Sequence, residues 1–256
     1  MTILKVATFN MHLTLDHWLQ RRGLMVGQLL DVSADIIALQ EVATPIRQAH
    51  WLMHQLNTRA TEGQPPYRVV TTRRPGIYFA ESLAILSRLP ILSMDKLNLG
   101  AGRVALRANI ELPSGETVDV VNVHLYSRPT GVQAREEQVM QIASWLDEGA
   151  TVRKRIVLGS FRANPDELAI RKFKDVYGYR SAYELVHRHE PLATWPTALR
   201  QYRTNVGKCD DYLFVSRHVK RVISAEICCH QPFDSESNIF PSDHVGLAAT
   251  IEVDDR

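Results

Sequence analysis

The sequence predicts a four-layer α/β sandwich, in which two mixed β-sheets pack face to face with helices on both outer sides. Two patterns carry this expectation. Short apolar strands alternate with amphipathic stretches early in the chain, and strand pairs joined by turn clusters intrude in the middle. That mixture suits two stacked sheets under helices better than one doubly wound parallel sheet. Size agrees, since 256 residues at 45% hydrophobic can bury a full core within a single domain spanning residues 1–256. Thirty Lys+Arg against 28 Asp+Glu give a formal net charge of +2, which argues against a dedicated nucleic-acid binder. The same balance leaves room for an enzyme that grips a few phosphates locally, and it excludes disorder.

The elements follow in order. Residues 3–10 are short and β-rich, and Leu19, Val26, Leu29, Leu30 and Val32 then recur at helical spacing. Ile36 to Gln40 is an apolar run of strand length, followed by a helix-like stretch from about Pro45 to Leu56. Further strands are expected at 67–71, 83–87, 104–112 and 118–124. The last two flank Pro113-Ser114-Gly115-Glu116, a turn-forming cluster that marks a hairpin. Val132, Val139, Ala143 and Leu146 mark one face of a long helix, and Ile156-Val157-Leu158 reads as a buried strand. Three more strands are expected at 212–216, 222–228 and 245–253.

Cys209, Cys228 and Cys229 are an odd set in which two are neighbours, a poor start for a relaxed disulfide. Cys228-Cys229-His230 lacks the spacers that let zinc ligands converge, so structural thiols are expected. The N-terminus runs straight into a strand with no signal-like apolar stretch, and no uncharged run approaches the ~20 residues that cross a bilayer. A reducing cytoplasm is the simplest address.

Chemistry-bearing residues gather where the expected strands end: Asn10, Glu41, His124, Ser160 and Asp243-His244. Each alone also has a structural reading. Asn10 suits a turn cap, Glu41 a helix start, His124 a satisfied core histidine, and Asp243-His244 an ordinary turn. One of Asp210 and Asp211 reads as a solvated turn charge.

As an ordered set these segments are more specific. Thr8-Phe9-Asn10, Leu39-Gln40-Glu41-Val42, Asn122-Val123-His124-Leu125, the run from Asp210 to Ser216, and Ser242-Asp243-His244 follow one another along the chain. Together they resemble the endonuclease/exonuclease/phosphatase (DNase I-like) superfamily. The resemblance extends to the segment from Ala84 to Ile91, Ala105-Leu106-Arg107 and Thr194-Trp195-Pro196-Thr197, and it covers essentially the whole chain. It implies a phosphoesterase or phosphodiesterase that uses Mg²⁺ or Mn²⁺, a hard cation able to neutralise phosphoryl oxygens. On that pattern Glu41 holds the metal, Asp243 lies near it, and Asn10 supports the metal and contacts phosphate. His244 is the proton-exchanging imidazole and Asp211 its orienting partner. His124 matches a second histidine that contacts the scissile phosphate or the leaving oxygen.

One motif departs from the pattern. The family's Gly-Asp-Phe/Leu-Asn is here Gly159-Ser160-Phe161-Arg162, within a stretch continuing Ala163-Asn164-Pro165. The resemblance implies an aspartate that aligns or deprotonates water at 160 and an asparagine that holds phosphate at 162. A serine cannot act as an anionic base at neutral pH, and arginine is always protonated. At ~5 Å and an effective dielectric of ~20, each unit-charge pair is worth roughly 3 kcal/mol, so metal affinity is expected to be weakened. Loss of a general base costs on the order of 10²–10⁴ in rate. Asp166 and Glu167 follow Pro165 and suit a helix start, which makes them poor substitutes.

Three readings remain open: a phosphoesterase with altered water activation through His244, an inactive binder of a phosphorylated ligand through Arg162 and Ser160, and a serine nucleophile. The last lacks the Gly-x-Ser-x-Gly elbow. Weak or absent turnover is expected. The segment 194–206, with Trp195, Arg200, Tyr202 and Arg203, reads equally as a substrate cover and as a packed flap. Near-neutral composition favours a small phosphodiester or a headgroup over long nucleic acid, and the sequence carries no signal for oligomeric state.

Overall fold

The computed structural model describes residues 1–76, 80–148, 152–200 and 206–254. Its first half runs β1 (Thr2–Asn10), α1 (Trp18–Val32), β2 (Ile36–Ala43), α2 (Gln48–Thr58), β3 (Arg68–Arg73), β4 (Glu81–Ser87), β5 (Ile91–Asn98), β6 (Val104–Glu111) and β7 (Thr117–His124). It continues with α3 (Val132–Asp147), β8 (Arg155–Ser160), α4 (Leu168–Asp175), β9 (Arg180–Ser181), α5 (Ala182–His187), β10 (Asp211–Val215), β11 (Arg221–Cys228) and β12 (Gly246–Val253).

The strands form two six-stranded sheets, ordered β11-β12-β1-β2-β4-β3 and β5-β6-β7-β8-β10-β9. Each sheet is mixed around one central parallel pair, β1 with β2 and β7 with β8. The expected hairpin between β6 and β7 is present and antiparallel. Three apolar clusters define the layers: one between the sheets, one joining α1 and α2 to the first sheet, and one joining α3 and α4 to the second. The two-sheet sandwich is therefore the fold.

Side-chain alternation along the strands places the site. Leu4 and Val6 of β1 face the space between the sheets, whereas Ala7 and Phe9 face α1 and α2. Continuing the inner face of β1 leads to Thr8 and then Asn10. The same change from apolar to polar runs along β2 (Ile36, Ala38, Gln40), β7 (Val118, Val120, Asn122, His124) and β8 (Ile156, Leu158, Ser160). On β10, which runs the other way, Asp211 precedes the inner-face Leu213 and Val215. The five polar ends meet at one edge of the sandwich.

Several details depart from expectation. Leu19, expected on the buried face of α1, is 73% exposed, and Arg21 is fully buried instead. Val132 is likewise exposed at the start of α3. Among the elements that the patterns did not mark, β5 is an edge strand whose exposed, mixed run has no apolar alternation to reveal it. All three cysteines are buried and free, as expected. Among the described residues, no helix is long and apolar enough to cross a membrane.

Gly159 secures the parallel junction beside the site. Its φ is +133°, and a Cβ added there would fall 2.1 Å from the Val123 carbonyl oxygen on β7. Gly159→Ala is therefore expected to destabilise the protein by about 3 kcal/mol or more, through backbone strain plus a clash that rigid strands cannot relieve. Urea unfolding measures this, and a loss under about 1 kcal/mol would show that β7 and β8 separate easily.

Candidate active site

The polar ends of the strands interlock across the two sheets. Gln40 Nε2 donates to Asn122 Oδ1 at 2.8 Å and to Thr8 Oγ1 at 2.9 Å, and Asn122 Nδ2 donates to the carbonyls of Leu39 and Ala84. One step further out, Asn10 Nδ2 donates to Ser160 Oγ at 3.2 Å and to Glu41 Oε1 at 3.2 Å. Glu41 does not end its strand as expected. It sits at a bulge in β2 with φ +48°, which turns its carboxylate toward Asn10 and the neighbouring sheet.

His244 and Asp211 form the expected pair, with Nδ1 2.7 Å from Asp211 Oδ2. Asp211 also accepts from Ser160 Oγ at 2.6 Å and from Thr194 Oγ1 at 2.7 Å. Burial pushes this carboxyl toward protonation, but the His244 contact and these hydroxyls outweigh it and hold it below the usual range. For His244, burial favours the neutral ring, and Asp211, then Asp243, outweigh that and raise its proton affinity; Arg162 works against them.

Arg162 takes the centre of the site. Its residue adopts φ +56°, a left-handed conformation in which asparagine is enriched and arginine is uncommon. Nη1 lies 3.0 Å from His244 Nε2 and 3.1 Å from Asp210 Oδ2, and Nη2 lies 3.4 Å from Glu41 Oε1. The His244 contact is attractive only while Nε2 offers its lone pair, so the tautomer set by Asp211 is the one that accepts from Arg162. Burial opposes the charge of this guanidinium, but Glu41 and Asp210 outweigh burial and keep it charged. Asp210, expected as the solvated member of its pair if Asp211 were functional, is instead 6% exposed and pairs with Arg162.

His124 is buried at the end of β7. Its Nδ1 lies 3.1 Å from Glu81 Oε1, and Nε2, 3.8 Å from Glu41 Oε1, has no hydrogen-bond partner. Burial, then the nearby Arg103, hold this imidazole well below the usual histidine range, so it is neutral. Trp195 is half-buried; its ring lies 6.3 Å from the His244 ring and its Nε1 donates to Asp243 Oδ2 at 3.1 Å. That places Trp195 at the wall of the site. Arg200 reaches Asp243 at 3.5 Å, while Tyr202 and Arg203 fall outside the described residues.

The sequence reading missed three contributors. Glu81 opens β4 and orients His124 while also pairing with Arg74. His12 lies 3.2 Å from Asp243 Oδ1 and 2.8 Å from Asp16 Oδ2. Arg21 is fully buried and donates to six backbone carbonyls, those of Met11, His12, Leu13, Leu15, Asp16 and Pro241. It thereby ties the loop after β1 to the segment that carries Asp243. Their only sequence signal was position, since His12 lies two residues after Asn10 and Arg21 interrupts an apolar helix face.

The residues present do not fit a divalent cation. A guanidinium already faces Glu41, both Asp243 oxygens are engaged by His12 and Trp195, and position 160 offers a neutral hydroxyl tied to Asp211. Among the described residues, no group of three or more His, Cys, Asp or Glu side chains is arranged to hold a metal ion.

A two-sheet sandwich with a His–Asp pair and a polar strand-end pocket defines a DNase I-like scaffold. A model of the endonuclease/exonuclease/phosphatase family matches residues 7–244, and the chain belongs to that family. Nocturnin of Rattus norvegicus is 27% identical over 253 residues, covering 90% of this chain and 58% of that protein. Nocturnin of Mus musculus is 26% identical, again over 90% of this chain and 57% of its own length. The chain thus spans less than two thirds of these curated relatives. Among solved structures, the human Nocturnin catalytic domain with bound sulfate superposes with a TM-score of 0.77 at 21% identity, over 98% of this chain and 94% of that one. A mannosyl-6-phosphatase of Bacteroides thetaiotaomicron reaches 0.80 at 18% identity, over 97% and 99% of the two chains. At these identities the superpositions establish the shared fold.

Because Arg162 opposes the charge on His244, Arg162→Asn is expected to raise the pH at which the His244 ring titrates. A ¹³C–¹H NMR titration of the histidine ring signals checks the direction, and a fall on substitution would mean that Arg162 does not contact Nε2.

Proposed function

We propose that this chain binds a small phosphorylated ligand at the strand-end pocket and that phosphoester hydrolysis there is impaired. The observation that carries the reading is the placement of Arg162, 3.0 Å from His244 Nε2 and 3.4 Å from Glu41 Oε1. In the hydrolytic scheme that the family pattern implies, His244 exchanges a proton, Asp211 orients it, Glu41 holds Mg²⁺ or Mn²⁺ and Asp243 lies near that ion. A lone pair that already accepts from Arg162 is a poor acceptor for a proton from water. A guanidinium against Glu41 repels a second cation at the same carboxylate, so metal affinity is weak. The hydroxyl of Ser160 cannot supply the missing anionic base.

The same substitution favours binding. Arginine presents donors in a planar fork that suits phosphate oxygens, and the half-buried ring of Trp195 lies beside it. Two comparisons support an anionic ligand of modest size: the human Nocturnin catalytic domain is described with a bound sulfate, and a neighbour of the same fold is named a mannosyl-6-phosphatase.

A second reading, slow hydrolysis with His244 as base, is favoured by the intact Asp211–His244 contact at 2.7 Å. Hydrolysis of bis-p-nitrophenyl phosphate with Mg²⁺ or Mn²⁺ separates the two. The unaltered protein is expected to stay at background, and Ser160→Asp together with Arg162→Asn is expected to raise the rate on the order of 10²–10⁴. Turnover by the unaltered protein that Glu41→Ala or His244→Ala abolishes would establish the hydrolytic reading instead. No gain from the double replacement would show that the roles given to positions 160 and 162 are wrong.

A further inference from the structure

At the other end of β8 and β10 from the strand-end pocket lies a cavity of about 530 Å³. β8 runs from Arg155 at this cavity to Ser160 at the pocket, roughly 17 Å away, and β10 runs back from Asp211 to Val215, just before Ser216 on the cavity wall. Ser216 ties the lining together. Its Oγ donates to the Arg153 carbonyl at 2.9 Å and accepts from the Arg155 amide at 3.1 Å, which sets the segment carrying Arg153 beside the one carrying Arg217.

The lining carries three guanidiniums, Arg153, Arg155 and Arg217, against one carboxylate, Asp147, which leaves two positive charges in excess. Asp147 is taken up by Arg155 Nη1 at 2.6 Å. Among the described residues Arg153 and Arg217 pair with no carboxylate, and Arg217 Nε reaches only the His218 ring, at 3.4 Å. Behind the wall, the charges of Asp119 and Arg180 offset each other: Asp119 accepts from Asn109 Nδ2 at 2.9 Å, and Arg180 donates to the Val219 carbonyl at 3.0 Å. His218 feels the surplus, because burial and then Arg217, Arg153 and Arg155 all hold its ring below the usual histidine range. Tyr179 is 4% exposed, and burial, opposed by Arg155, pushes its phenol up, so it keeps a proton for which there is no acceptor among the described residues. An oxyanion drawn in against Arg155 would supply one.

We infer that this cavity is a second anion site, built for a compact polyanion of the diphosphate class. It is separate from the pocket around Arg162 and stands independently of the function proposed there. Its volume falls within the range of small-ligand sites and exceeds what one phosphoryl group fills. The two guanidiniums without carboxylates offer two planar forks, each suited to one phosphoryl group, and a diphosphate gives one to each. A monoanion would leave part of the surplus unmatched.

Titration with inorganic pyrophosphate, followed through the His218 ring in ¹³C–¹H NMR, provides the test, with the signal assigned by its loss in His218→Gln. Bound pyrophosphate is expected to raise the pH at which His218 titrates, because it offsets the three guanidiniums. At matched ionic strength it is expected to bind about tenfold tighter than inorganic phosphate, and Arg153→Gln or Arg217→Gln, both at exposed positions, to weaken it about threefold or more. Arg162→Asn is expected to leave the His218 response unchanged, which separates this site from the strand-end pocket. A His218 ring that pyrophosphate does not move, or an equal shift from sodium chloride at the same ionic strength, would overturn the site. Equal affinity for phosphate and pyrophosphate would overturn the diphosphate class, and an affinity untouched by both arginine substitutions would overturn the assignment to this cavity. None of these results bears on the strand-end pocket.

Discussion

The site depends on a short polar seam where the two sheets meet. Over most of their contact the sheets are held by apolar side chains, which set the spacing but tolerate small slides. At one edge that contact is replaced by directional bonds, Gln40 to Asn122 and Asn10 to Ser160, with Ser160 donating onward to Asp211. Hydrogen bonds between buried groups are demanding in distance and angle, and leaving one unmade costs about 1–3 kcal/mol. They fix β1 and β2 against β7, β8 and β10. Glu41, His124 and Asp211, carried by different sheets, therefore keep one relative position.

Within that frame Ser160 and Arg162 fit the carboxylates around them. Glu41, Asp210, Asp211 and Asp243 crowd one end of the sandwich, and a further carboxylate at 160 would lie beside Asp211, which Ser160 Oγ now approaches to 2.6 Å. Like charges at such separations repel strongly unless a cation sits among them. Serine carries no charge and donates a hydrogen bond to Asp211 instead. Arginine supplies the compensating charge from within the chain, reaching Glu41 and Asp210 at once. Both replacements reduce the need of these carboxylates for an external cation. The left-handed backbone at Arg162 and the bulge at Glu41 are the local irregularities that let the two groups face each other.

Support for the opposite wall comes from Arg21. Its six carbonyl acceptors lie on two loops far apart in sequence, and satisfying them with one buried cation makes those loops a single unit. Burial lowers its pKa to about 10, with Asp243 and Asp16 opposing the drop, so it remains charged at neutral pH. Asp243 is thereby held against His12 and Trp195.

Much of this was legible in the primary structure. Short apolar runs ending at or near Asn10, Glu41, His124 and Ser160 already placed the chemistry-bearing residues at strand ends, and the resemblance carried by the ordered motifs implied the fold and the His244–Asp211 pair. Edge strand β5 escaped because an exposed strand has no apolar run. His12, Glu81 and Arg21 escaped because their partners lie in other segments. The resemblance already gave Asp211 to His244, but that Asp210 would hold Arg162 depends on strand direction and register, which the local sequence does not carry. The sequence by itself determined that a hydroxyl stands at 160 and a guanidinium at 162, where the family resemblance implies a carboxylate and an asparagine. Only the tertiary structure decided where that guanidinium points, because its reach to Glu41, Asp210 and His244 is set by packing between two sheets and by no local propensity.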